Sequence, residues 1–178
     1  MAKISITQLY KDDPQNLKAV QKHIDENSDL VINMVDDIVK QCSSELDNYV
    51  EYVRSILSDS NHTVTNSILE DITIALPIIL YNVNDIEENL GIKEDIAKAN
   101  KSELYNSIYS SLMTGTVADK TAIAETETQA ETMMYVIYQH AHKKIRAKNE
   151  LGLELLQSVK KVLSKRITEL EISKNSIM

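Results

Sequence analysis

Apolar residues recur every three or four positions through most of this chain, the spacing of one face of an α-helix. Val31, Val35, Ile38, Cys42, Leu46, Tyr49, Val53 and Ile56 form one such stripe. It predicts a helix from about Ser28 or Asp29 to about Leu57. Ser58-Asp59-Ser60-Asn61 then ends it, because these side chains compete for backbone hydrogen bonds. Ahead of the stripe, Asp13-Pro14 reads as an N-cap acceptor followed by proline at the first helical position. Leu17, Val20 and Ile24 mark a short helix from there to about Asn27.

A third helix is expected from about Thr63 to Leu90, with Ile68, Ile72, Leu76, Ile79, Val83, Ile86 and Leu90 on one face. Pro77 lies inside it. Proline removes one helix hydrogen bond and crowds the preceding turn, so a kink is predicted, with a break into two helices as the alternative. Leu90-Gly91 reads as a C-terminal stop. A fourth helix should span about Lys93 to Met113, with Ile96, Ala99, Leu104, Ile108 and Leu112 inward. Thr114-Gly115 stops it. Thr116-Val-Ala-Asp119 reads as a capping box, with Asp119 in place of the usual glutamate. Beyond it, Met134, Ile137, Ala141, Ile145, Leu155, Val159, Val162, Leu163, Ile167 and Leu170 keep helical spacing, with Gly152 as the one glycine. One helix of about 50 residues is predicted, roughly 75–80 Å long.

The expected fold is therefore all-α: an elongated helical bundle of about five helices, whose long C-terminal helix (about 117–172) forms a hairpin with the preceding helix. Residues 1–12, with Ile4, Ile6 and Leu9, read as an N-terminal arm. Residues 13–178 read as a single helical domain, an acidic helical part (13–90) followed by the long hairpin (91–172). Composition agrees. The chain has 178 residues, 43% hydrophobic, with only 3 Gly and 2 Pro, too few turn formers for a β architecture. There are 8 Tyr and no Phe or Trp, so the core must be aliphatic. A helix this long exceeds what its hairpin partner covers. Its stripe must meet the earlier helices or another chain, which points to a homo-oligomer with coiled-coil contacts.

The single Cys42 makes no internal disulfide, and a reducing, cytoplasmic setting is expected. The N-terminal residues lack the apolar run of a signal peptide. The most apolar stretch, Ile72 to Val83, contains Pro77 and is too short to span a bilayer, so no membrane association is expected. Asn61-His62-Thr63 matches a glycosylation sequon, read as chance. Net charge is -8, unevenly spread. Residues 1–120 hold 10 basic against 20 acidic side chains, and residues 121–178 hold 9 against 7. An acidic body thus carries one basic stretch, suited to a polyanion or to the acidic body of another copy.

Little else suggests chemistry. No glutamate has a histidine three residues later, as a di-iron bundle requires. His140-x-His142 stands without further ligands and reads as a solvated surface pair. Cys42 sits on an apolar stripe, where a thiol acts as a small hydrophobe. Neither GxGxxG nor GxxxxGK[ST] occurs. Adjacent acids such as Asp36-Asp37 and Glu87-Glu88 point to different sides of a helix. The expectation is a non-enzymatic protein with no catalytic residues, metal or cofactor. The basic stretch is the candidate binding surface. Lys143, Lys144, Arg146, Lys148, Lys160, Lys161, Lys165 and Arg166 would track phosphates, with Tyr135 and Tyr138 available to stack on bases, as single-strand binding requires. The alternative is an ordinary solvated helix face.

Three segments carry a resemblance: Gly115 to Glu125, Tyr135 to Lys148, and Glu154 to Arg166. From about residue 91 to 172 the chain resembles the small helical proteins of large tailed phages in the recombination-mediator (UvsY-type) family. The resemblance implies a helical hairpin assembling into a ring that binds single-stranded DNA and helps load a RecA-like recombinase. The acidic first 90 residues have no counterpart in it. Two other readings compete. One is a virion or assembly protein (neck, scaffold or minor capsid component), placed in the host cytoplasm or the virion. The other is a helical adaptor or inhibitor of a host protein, using the acidic body as a nucleic-acid mimic.

Overall fold

A computed structural model of the protein describes residues 14–58 and 64–175. These residues form four α-helices and no strand: α1 (Pro14–Ser58), α2 (Asn66–Ser111), α3 (Val117–Glu127) and α4 (Gln129–Asn175). The expected arm, residues 1–12, and the sequon at 61–63 lie outside the described residues. The three long helices each span about 70 Å at 1.5 Å per residue. Among the described residues, no helix is long and apolar enough to cross a membrane.

The protein is all-α, with fewer and longer helices than the sequence predicts. No break occurs near Asn27, because α1 runs unbroken from Pro14 to Ser58. Serine and aspartate weaken a helix by only tenths of a kcal/mol, too little to stop one. Gly91 is no stop either, since α2 passes through it. A Cβ at Gly91 would stand 3.3 Å from the His142 imidazole of α4, so the residue provides close approach between helices. Pro77 also lies within the unbroken α2, which excludes a division there.

The capping box forms as expected. The Asp119 amide donates to Thr116 Oγ1 at 3.2 Å, and the Thr116 amide donates to Asp119 Oδ2 at 3.0 Å. Gly115 holds the positive φ of 110° that the preceding turn needs. The predicted single helix 117–172 is divided, however, at Thr128. That residue is buried, and its hydroxyl donates to the Ala124 carbonyl at 2.8 Å. Its φ of -100° and ψ of 15° depart from helical values, a local hydroxyl–backbone bond competing with helix geometry.

The helices run up, down and up. Asp36 and Asp47 of α1 meet Lys144 and Lys148 of α4, so α1 and α4 are parallel. Glu87 and Glu94 of α2 meet Asn149 and His142, so α2 and α4 are antiparallel. In place of the expected hairpin of one helix 117–172 on a preceding helix 93–113, α4 packs antiparallel on the longer α2, with the short α3 joining them. The core follows a three-and-four spacing: Val35, Val39, Leu46 and Val53 of α1; Leu69, Ile72, Leu76, Ile79 and Val83 of α2; Ile137, Ala141, Ile145, Leu156 and Val159 of α4. Fully burying such a side chain is worth roughly 1.5–3 kcal/mol, so this seam dominates the stability. Gly152 marks the tightest point, where its missing Cβ would lie 2.5 Å from Leu80 Cδ2 and 3.6 Å from Leu46 Cδ1.

Several residues expected inward are exposed: Ile96, Ala99, Met134, Val162, Ile167 and Leu170. Ile96 and Met134 rim a groove between α2 and α4. Arg166 lies beside Val64, ahead of the first turn of α2, and Leu170 borders a groove with Asn66, the first residue of that helix.

Candidate functional site

The basic stretch lies on α4, and the bundle engages much of it. Lys144 Nζ is 2.6 Å from Asp36 Oδ1, and Lys148 pairs with Asp47. Asp47 also accepts from the buried Ser43 hydroxyl at 2.8 Å. Arg146 pairs along its own helix with Glu150 at 3.2 Å, and Lys165 with Glu169 at 3.8 Å. Arg166 donates to the Val64 carbonyl. Lys143, Lys160 and Lys161 are exposed and make no ion pair among the described residues. Of the eight candidates, five thus have a partner in an ion pair or hydrogen bond and three have no ion pair among the described residues. Two of them, Lys144 and Lys148, neutralise acids of α1, which is how an acidic body and a basic helix come to share one chain.

The two candidate stacking residues face α2. The Tyr135 hydroxyl accepts from Gln139 Nε2 at 2.7 Å, and Lys101 Nζ lies 5.9 Å from the Tyr135 ring centroid. Lys93 Nζ lies 6.0 Å from the Tyr138 centroid. Each ring thus meets a cation of the same chain. Both tyrosines are half-buried against the helix that supplies those lysines.

His142 is not the solvated surface residue the sequence suggests. It is half-buried, with Nδ1 2.8 Å from Glu94 Oε2, while His140 is exposed beside a groove of about 510 Å³ between α1 and α4. Glu94 is held below the usual carboxylate range by the His142 hydrogen bond above all; burial opposes it, and a Gln139 hydrogen bond and the nearby charges of His142 and Lys143 add smaller lowering effects. The evident role of the His142–Glu94 pair is to fix the register of α4 on α2, as does the Asn149–Glu87 bond at 2.9 Å. Among the described residues, no group of three or more His, Cys, Asp or Glu could hold a metal ion.

No family model, no curated protein and no solved structure matches this chain. The surfaces themselves therefore carry the functional reading.

One surface escapes a search for charged motifs. Ile74, Ile78 and Tyr81 of α2 are 66%, 62% and 69% exposed. They follow each other at four and three residues, so they share a face. At 100° per residue that face lies opposite Ile72, Leu76, Ile79 and Val83, the core face of the same helix. Ile92, two heptads after Ile78, is also exposed on this side, beyond Asp85 and Glu88. The signal was present in the sequence as a second period-3.5 pattern, offset by two residues from the first. Following one stripe per helix hides it. A helix apolar on opposite sides is normally covered on both.

Proposed function

We propose that this chain is a non-enzymatic helical assembly protein that works through its outer helix faces. The observation that carries this reading is the α2 stripe, Ile74, Ile78 and Tyr81, more than 60% exposed opposite a complete core face. Exposed apolar residues aligned along a helix mark an interaction surface far better than scattered ones do. In the phage setting that the resemblance implies, such a protein is a neck, scaffold or minor capsid component.

A single-stranded-DNA-binding mediator is the second reading. It is favoured by Lys160 and Lys161, which are exposed on α4 with Lys165 one turn further on. The ion pairs elsewhere in the basic stretch weaken it without excluding it, because exposed pairs are worth only about 0–1 kcal/mol and phosphates compete with them.

Anisotropy of a labelled single-stranded oligonucleotide at about 50 and 200 mM salt separates the two readings. The assembly reading expects no salt-sensitive binding. Tight binding that weakens at least about tenfold between these salts would overturn it in favour of the mediator.

A further inference from the structure

The occupant of the α2 stripe can be argued from the other helices of the same chain. On α2 the stripe is flanked by acids: Glu70 precedes Ile74, and Glu88 follows Tyr81. Both glutamates are exposed and make no ion pair among the described residues. They stand eighteen residues apart, five helical turns or about 27 Å, on one line of the helix. The outer side of α4 repeats this layout with the opposite charge. Lys143 and Lys161 are also eighteen residues apart, about 27 Å on one line. Between them lie Ala147 and Leu151, the latter 64% exposed.

The two series coincide position by position. Glu70, Ile74, Ile78, Tyr81 and Glu88 on α2 have the same offsets as Lys143, Ala147, Leu151, Glu154 and Lys161 on α4. All ten side chains are exposed. Laid side by side in parallel, the series set each terminal glutamate against a lysine and Ile78 against Leu151. They also bring the Tyr81 hydroxyl to Glu154, which can accept its hydrogen bond. Pairing α2 with a second α2 instead sets glutamate against glutamate at both ends, and pairing α4 with α4 sets lysine against lysine.

We infer that the α2 stripe is a self-association surface, and that it receives the outer face of α4 from a second copy of this chain. This inference rests on the assembly reading above and names the partner of the surface which that reading identifies. Within one chain, α2 already packs on α4 through their core faces, so the outer faces meet only between copies. The contact is heterologous: each copy offers α2 to one neighbour and α4 to another, which yields a ring or an open filament rather than a twofold dimer. Two ridges about 27 Å long bury less than the roughly 800 Å² per partner of a standard interface. Association should therefore be weak per contact and rise with concentration.

The test is sedimentation velocity of the full chain from micromolar to near-millimolar concentration, at about 50 and 500 mM salt. The mass should exceed the monomer's, grow with concentration and fall with salt. Ile78→Glu should weaken self-association at least about tenfold. Circular dichroism should show it fully helical, since Ile78 is 62% exposed and lies outside the core. The α4 variant Lys143→Glu/Lys161→Glu should likewise be monomeric. So should the α2 variant Glu70→Lys/Glu88→Lys, and mixing these two variants should restore association.

A monomer at every concentration overturns the inference. So does an Ile78→Glu protein that still associates, or an α4 variant that associates like the parent, which would indicate α2 against α2. These failures differ from failure of the assembly reading, which falls only if the oligonucleotide binds.

Discussion

Glu94 shows how one side chain can tie register to pH. Its carboxylate accepts from His142 at 2.8 Å, and that bond is the main reason its pKa is depressed. A group with a depressed folded-state pKa stabilises the fold above its ordinary value, and the contribution is lost as pH falls through the depressed one. Glu94→Gln removes the contribution at all pH values. The variant should be less stable than the parent at neutral pH, with the difference shrinking on acidification. Thermal melts between pH 7 and the acid limit would show two curves that converge; parallel curves would mean the pair contributes nothing through charge. Asp119 is lowered for a different reason, hydrogen bonds from the Thr116 hydroxyl and amide, and it tightens a cap rather than a helix pair.

At the scale of elements, Pro77 is the clearest cost. It lies inside an unbroken α2 and removes the amide that would bond to the Thr73 carbonyl. Proline in a helix interior costs about 3 kcal/mol relative to alanine. Pro77→Ala should therefore raise stability by about 1–3 kcal/mol, read as a shift of the urea midpoint at constant m-value. No gain would mean that the surrounding turn has already absorbed the proline. The helices' existence and inward faces were legible in the sequence because Val35 to Val53 and Leu69 to Val83 repeat cleanly at three and four residues. Their ends were legible only where a local motif acts, as at Thr116-Asp119. Gly91 misled because a glycine that ends a helix and one that lets another helix approach look alike until His142 is in place. Thr128 misled in the opposite way, its break depending on burial of a hydroxyl that no periodicity records. Among the candidate binding residues, spacing along α4 revealed the basic face. That Lys144 and Lys148 would be met by α1 depended on the parallel docking of two helices far apart in sequence.

At the scale of the whole molecule, Gly152 is where the three long helices converge. Alanine normally gains about 1 kcal/mol over glycine in a helix. Here the added methyl would stand 2.5 Å from Leu80, itself buried. Gly152→Ala should instead destabilise by about 1–3 kcal/mol, as overpacking does. Chemical denaturation followed by circular dichroism checks the sign, and a stabilised variant would show that Leu80 yields freely. The parallel docking of α1 on α4 has a further consequence, for the order in which the molecule is made. The Lys144–Asp36 contact joins residues 108 apart, and Lys148–Asp47 residues 101 apart. At about 10 residues per second, a ribosome needs roughly 10 s after passing the middle of α1 to reach the part of α4 that covers it. For that interval Val35, Val39, Leu46 and Val53 lack their α4 partner. The nascent chain is then an amphipathic helix bearing an open apolar seam, the form in which it is most vulnerable to aggregation and most attractive to a holdase.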